Sequence, residues 1–200
     1  MTSEKIASIL KNMYTQFSIS QEYSIAIFSA GCFWCVEGDF KKLNGVKDVI
    51  SGYTSNDSND TQPTYEKVCS GATNFRESVL VIFNSQKISY TKLVQHFLTI
   101  HDPTDSGGSF YDRGFQYTSA IYYTSDEQKL EAQEEISKCN SLKMYENPII
   151  TSIEEVRNFF KAEEYHQEYS RKCPIRYKLY RRGSGRDAFI SQVSKKINSR

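Results

Sequence analysis

Two cysteines three positions apart, Cys32 and Cys35, bracket Phe33 and the only tryptophan of the chain, Trp34, in the stretch "GCFWCVEGDF". A thiolate is favoured where the first turn of a helix leaves backbone N–H groups unpaired. The apolar run "SIAIF", followed by Ser-Ala-Gly, reads as a strand that delivers Cys32 to such a helix start. Cys35 lies one turn further on, within disulfide reach. Phe33 and Trp34 could wall an apolar pocket beside the sulfur. Most cysteines are inert core residues, and it is the position together with the aromatic pair that sets these two apart.

Three chemistries compete for such a pair. A zinc knuckle needs a second ligand pair. Cys69 and Cys139 are far apart, however, and His96, His101 and His166 have no ligand-like spacing to another His or Cys, so no metal is expected. A thioredoxin-like dithiol fits strand, CxxC and helix, but leaves the aromatic pair without a purpose. The third is a nucleophilic cysteine recycled by a second thiol.

The elements that must hold these residues alternate along the chain. Ile6, Ile9, Leu10, Met13 and Phe17 recur at helical spacing. Val36, Phe40 and Leu43 mark the helix after Cys32, with Asn44-Gly45 as its stop. "VKDVISGYTS" and "ESVLVIF" read as strands, and residues 56–63 as a polar loop. Ser89 caps a helix carrying Leu93, Val94, Phe97 and Leu98, and "HDPTDSGGSFYDRG" is a loop. "FQYTSAIYY" reads as a strand, Ser125 to Gln128 as a capping box, "IITSIEEV" as the last strand and "NFFKAEEYHQEYSRK" as a final helix or helical turn. This predicts an α+β fold: a single two-layer domain with a mixed sheet flanked by helices and a loop-rich active-site face.

Composition narrows the class. The 200 residues contain no apolar run of the about eighteen residues a membrane span needs. The N-terminus lacks a secretory h-region, and five cysteines is an odd number for a disulfide scaffold. Reduced thiols in the cytoplasm are expected. Ten Lys or Arg against one acid follow from Arg171 onward, a basic tail without any nucleic-acid module beside it. Neither a nucleic-acid nor a membrane partner is expected.

"GCFWCVE" resembles the signature of the class A peptide methionine sulfoxide reductases. "GYTS", "PTYEKVCSG", the Glu of "NFRESV", "HDPT", "DRGFQYTSAIY" and "AEEYHQEY" agree in order, from about Ser24 to Ile190. The resemblance implies a reductase domain over 24–190, an N-terminal helical extension over 1–23 and a basic tail over 191–200. It implies thiol-dependent reduction of methionine-S-sulfoxide, free or in proteins, by a monomer without a bound cofactor, using an external dithiol, thioredoxin. Cys32 would be the nucleophile and Glu77 the proton donor, kept protonated by burial. Tyr65 and Tyr117 would bind the oxygen, Phe33 and Trp34 the methyl group, and Asp112 would orient the substrate. His166 and Tyr169 match as structural support, and Glu37 also matches the signature, although by position alone it reads simply as an exposed first-turn helix carboxylate.

Two departures matter. Ser184 in "GSGRD" replaces the cysteine that some relatives carry there, and the Gly-rich cysteine tail of others is missing. The resolving thiol is then Cys35 first, Cys173 second, with Cys69, Cys139 or an external thiol as remaining routes. In "NFRE", Phe75 and Arg76 are bulkier than the small residues expected before the acid, which would reshape the rim near Glu77.

Overall fold

Continuous apolar, β-branched sequence needs cover on both faces, and the most apolar run, Arg76–Phe83, forms a fully buried strand inside the sheet. The computed structural model describes residues 3–55 and 62–198, so most of the predicted 56–63 loop lies outside the described residues. Its strands are β1 (Ser24–Ser29), β2 (Val46–Thr54), β3 (Arg76–Phe83), β4 (Gly108–Ser109), β5 (Asp112–Arg113), β6 (Ala120–Tyr123), β7 (Ser152–Glu155) and β8 (Phe160–Lys161). The helices are α1 (Ser3–Gln16), α2 (Phe33–Phe40), α3 (Tyr65–Cys69), α4 (Tyr90–Thr99), α5 (Asp126–Ser141), α6 (Tyr169–Lys172), α7 (Pro174–Gly183) and α8 (Arg186–Asn198). The main sheet runs β7-β6-β1-β3-β2-β8. Only the β6–β7 pair is parallel, so the sheet is mixed and flanked by helices.

Strand alternation decides which side chains meet the helices. Ala26, Phe28, Val79, Val81 and Phe83 face α2 and α4, with Phe28 stacked between Phe40 and Phe97 at 5.0 and 4.9 Å. Ile25, Ile27, Leu80 and Ile82 face the other way, where Met13 of α1 and Phe159 cover them. Glu77 shares the parity of Val79, so its carboxyl is delivered to the face where α2 begins. Arg76 has the opposite parity. Its guanidinium bonds Tyr122 Oη at 2.8 Å, Glu154 at 3.0 Å and Thr118 at 2.8 Å on the far face. Phe75 is buried edge-on against Phe160, so neither bulky residue of "NFRE" forms an exposed rim.

Several elements differ from the sequence expectation. The predicted strand "FQYTSAIYY" begins as a 3₁₀ turn at Phe115–Tyr117, because Gly114 at φ +122° turns the chain, and pairing starts only at Ala120. Within the predicted 101–114 loop, β4 and β5 form a two-residue ladder. "NFFKAEEYHQEYSRK" is not a final helix: it breaks into β8, a 3₁₀ turn at Glu164–His166 and the one-turn α6, and α7 and α8 follow. α8 runs through residue 190 as far as Asn198, with Val193 buried.

Arg186, 1% exposed, fastens α8 to the body. Its Nη1 donates to Ile100 O at 2.7 Å and its Nη2 to Ala30 O at 3.0 Å, and its guanidinium lies over Phe110. Arg186→Ala leaves both carbonyls without their donor and opens a void, and is expected to cost about 3 kcal/mol. Urea unfolding would read this as a lower midpoint at unchanged slope. A loss under about 1 kcal/mol would show that α8 docks without this anchor.

Candidate active site

The chain enters α2 through Gly31 at φ +80°, where a side chain would collide with Ser109 Cβ at 2.4 Å. Cys32 is the N-cap residue of α2. Its carbonyl accepts the N–H of Cys35 at 3.1 Å and of Val36 at 3.3 Å, while its side chain caps nothing. The N–H of Phe33, which a helix start leaves free, donates to Glu77 Oε2 at 2.9 Å. One backbone amide therefore connects the cysteine-bearing turn to the buried acid.

Burial governs the charges here. Glu77 is 2% exposed, and desolvation pushes its carboxyl up to about 8 against the Phe33 N–H, with Asp112 and Cys35 adding to the rise. Cys32, 6% exposed, is also pushed well above the usual thiol value, first by burial and then by donating its S–H to Cys35. The thiolate expected at the helix start is thus not favoured at Cys32, since burial outweighs the dipole and the nearest N–H serves Glu77. Cys35 moves the opposite way. The hydrogen bond from Cys32 lowers it, against burial, and Arg186 and Arg181 add to the lowering. Arg181 reaches across from α7, bonding Asp39 at 2.9 Å and Tyr177 Oη at 3.1 Å.

Around the sulfurs stands an aromatic cage. Phe33 is buried, its ring 5.0 Å from His166 and 5.8 Å from Tyr53. The Trp34 ring stacks on Tyr169 at 3.8 Å and 9°, and its Nε1–H donates to His166 Nδ1 at 3.0 Å. That acceptor role requires a neutral ring, and burial holds His166 below its usual value. Tyr180 of α7 meets Trp34 edge-on at 6.1 Å and donates to Asp112. Asp112 is pushed up by burial, against that hydrogen bond.

Tyr65 and Tyr117 come to the same place from different elements. Tyr65 opens α3, its N–H held at 2.9 Å by Glu163, and Tyr117 closes the 3₁₀ turn with its hydroxyl 3.4 Å from Cys69 Sγ. Desolvation raises both phenols, so both stay protonated donors.

Cys32, Cys35, Glu77, Tyr65, Tyr117, Phe33, Trp34 and Asp112 are therefore all drawn into one region. Cys173 is not joined to it in the same way. It caps α7 at the junction with α6, outside the cluster in which Cys32 and Cys35 pack with Tyr177. Cys139 lines a separate apolar cavity of about 300 Å³ between α4, α5 and α8. All five cysteines are free thiols.

Several site residues escaped the sequence reading. Glu37 is not an exposed first-turn carboxylate. It is fully buried and accepts the Glu168 N–H at 2.8 Å, which holds Glu168 at φ +53° just before Tyr169. Glu163 accepts from both Tyr53 Oη and the Tyr65 N–H. It lies in "AEEYHQEY", where the family resemblance points only to His166 and Tyr169. Arg181 and Tyr180 carried no motif at all.

The chain matches known proteins over most of its length. The family described as "Peptide methionine sulfoxide reductase" matches residues 24–198. The chain is 42% identical over 174 residues to "Peptide methionine sulfoxide reductase MsrA" of Bacillus licheniformis, covering 87% of this chain and 95% of that one. Among solved structures, reduced Mxr1 from Saccharomyces cerevisiae matches with a TM-score of 0.71 at 34% identity, over 76% of this chain and 87% of its own. Mxr1 in complex with Trx2 matches with a TM-score of 0.50 at 25% identity, over 74% and 85%.

Proposed function

The chain belongs to the peptide methionine sulfoxide reductase family, and from that premise we propose that Cys32 attacks the sulfoxide sulfur while Glu77 protonates the oxygen. The overall reaction is the thiol-dependent reduction of methionine sulfoxide to methionine, which repairs oxidative damage. What carries the assignment of roles is the Phe33 amide that hydrogen-bonds Glu77 beside Cys32.

Sulfoxide sulfur accepts a nucleophile only as its oxygen gains a proton. Glu77, held near 8, carries that proton at neutral pH, and the hydroxyls of Tyr65 and Tyr117 supply two further donors. The S-epimer's methyl group lies against Phe33 and Trp34, and Asp112 orients the substrate. As Cys32 attacks, its S–H proton leaves along the hydrogen bond it already donates to Cys35, whose thiolate form that bond favours. The S–O bond of the substrate breaks, methionine leaves, and Cys32 keeps the oxygen as a sulfenic acid. Cys35 then condenses with it, releasing water and forming the Cys32–Cys35 disulfide. An external dithiol reduces that disulfide. The Mxr1–Trx2 complex supports thioredoxin in this part. Cys173 is the second candidate for the resolving thiol.

Single-turnover reduction of a peptide S-sulfoxide without added dithiol tests this cycle. Wild type and Cys173→Ser are expected to release methionine with loss of two thiols. Cys35→Ser should release methionine with loss of only the Cys32 thiol. The reverse pattern for the two serine variants would transfer resolution to Cys173, and no methionine from wild type would overturn the mechanism.

A further inference from the structure

Cys69 ends α3 with its side chain turned into the site. Tyr117 donates to its sulfur at 3.4 Å, the Tyr65 hydroxyl also bonds it, and its S–H points to Glu77 Oε1 at 3.9 Å. The backbone repeats the link, since Gln116, beside Tyr117, donates to the Cys69 carbonyl at 3.0 Å. The three groups assigned to the sulfoxide oxygen thus converge on one thiol that has no part in the cycle above.

We infer that Cys69 is a positioning residue of the oxygen subsite, its sulfur holding the Tyr65 and Tyr117 hydroxyls in aim and its S–H fixing the Glu77 carboxyl until a sulfoxide arrives. This rests on the reading of Glu77, Tyr65 and Tyr117 as the oxygen-handling groups. Half-buried phenols left without this acceptor lose a hydrogen bond and turn away. Thiol sulfur is a weak acceptor, so it satisfies them yet yields to the strongly accepting sulfoxide oxygen. A hydroxyl in its place would hold them harder.

Cys69→Ala and Cys69→Ser test this through kcat, KM and the pH profile of kcat/KM. Glu77 is faced by Cys32, Cys35 and the Phe33 amide from α2, and by Tyr65 from α3. Asp112, Tyr53 and Tyr117 also act on it, and none of these residues is changed in either variant. Cys69 donates to Glu77 and thereby lowers its pKa. In Cys69→Ala the acid form therefore persists further, and the alkaline limb moves to higher pH while kcat/KM falls about tenfold. Cys69→Ser is expected to restore the limb while raising KM. An alanine variant with wild-type kcat/KM, or with lost activity and an unmoved limb, overturns the inference.

A second readout is free of turnover. In a Cys32→Ser background, the S–H stretching band that disappears in Cys69→Ala is expected to shift when dimethyl sulfoxide binds. A band that stays put also overturns the inference. Failure of the underlying reading shows separately, as full activity in Glu77→Gln.

Discussion

Replacing Cys32 with serine is expected to end methionine release from a sulfoxide peptide, lowering turnover by at least about 10⁴-fold even with excess dithiol. A serine hydroxyl is a weak nucleophile at its own pKa, and Cys35, which accepts the hydrogen bond from position 32, is too weak a base to activate it. Cys35 cannot substitute. It is completely buried, packed under Tyr177 with the Arg181 guanidinium behind it. The substitution is nearly isosteric and Cys32 makes no capping bond, so the fold is expected to survive. Chromatographic detection of methionine, with circular dichroism as the folding control, checks both statements. Turnover within tenfold of wild type would make Cys35 the nucleophile.

Glu77→Gln is expected to lower kcat/KM by about 10²–10⁴-fold, the range for loss of a general acid. Glutamine can still accept the Phe33 amide, so binding and architecture persist while the transferable proton is lost. In wild type, kcat/KM should fall as pH rises through about 8, where Glu77 ionises, and the glutamine variant should lack that limb. Stability moves the same way. The folded pKa is raised from 4.5 to about 8, so the stabilising contribution of this proton is complete below about 4.5 and is lost as pH rises to about 8. The wild-type melting temperature should therefore drop more between pH 5 and 9 than that of Glu77→Gln. Parallel melting curves would show that the carboxyl is not buried as described.

The parts of this molecule legible in the sequence are those written in local patterns. The continuous apolar run after Glu77 marked β3 as a buried strand, although only the family resemblance singled out the acid at its start, and Ser89 and Ser125 marked helix starts whose side chains do accept the expected N–H groups. The 3₁₀ turn under Tyr117 was hidden because its cause, the positive φ of Gly114, is a single residue ahead of a strand-like run. Glu37 looked exposed because its partner, the Glu168 amide, is 131 positions away in the chain. α7 escaped because its pattern is inverted. Ile175 and Leu179 are exposed, whereas Tyr177 and Arg181 are buried against the cysteines. A hydropathy pattern finds helices that bury aliphatic side chains, and this one buries a phenol and a guanidinium.

The stack of Trp34 on Tyr169 has an optical consequence. Because the chain has no other indole, all emission excited at the red edge of its absorption originates within the site. That indole touches a phenol ring and donates its N–H to an imidazole, and Phe33 alone separates it from Cys32 in the chain. Thiols and disulfides quench indole fluorescence to different degrees, and withdrawing Tyr169 would expose the ring to solvent. The protein thus carries a built-in probe whose intensity follows the redox state of the cysteine pair and whose wavelength follows the cover Tyr169 gives the ring.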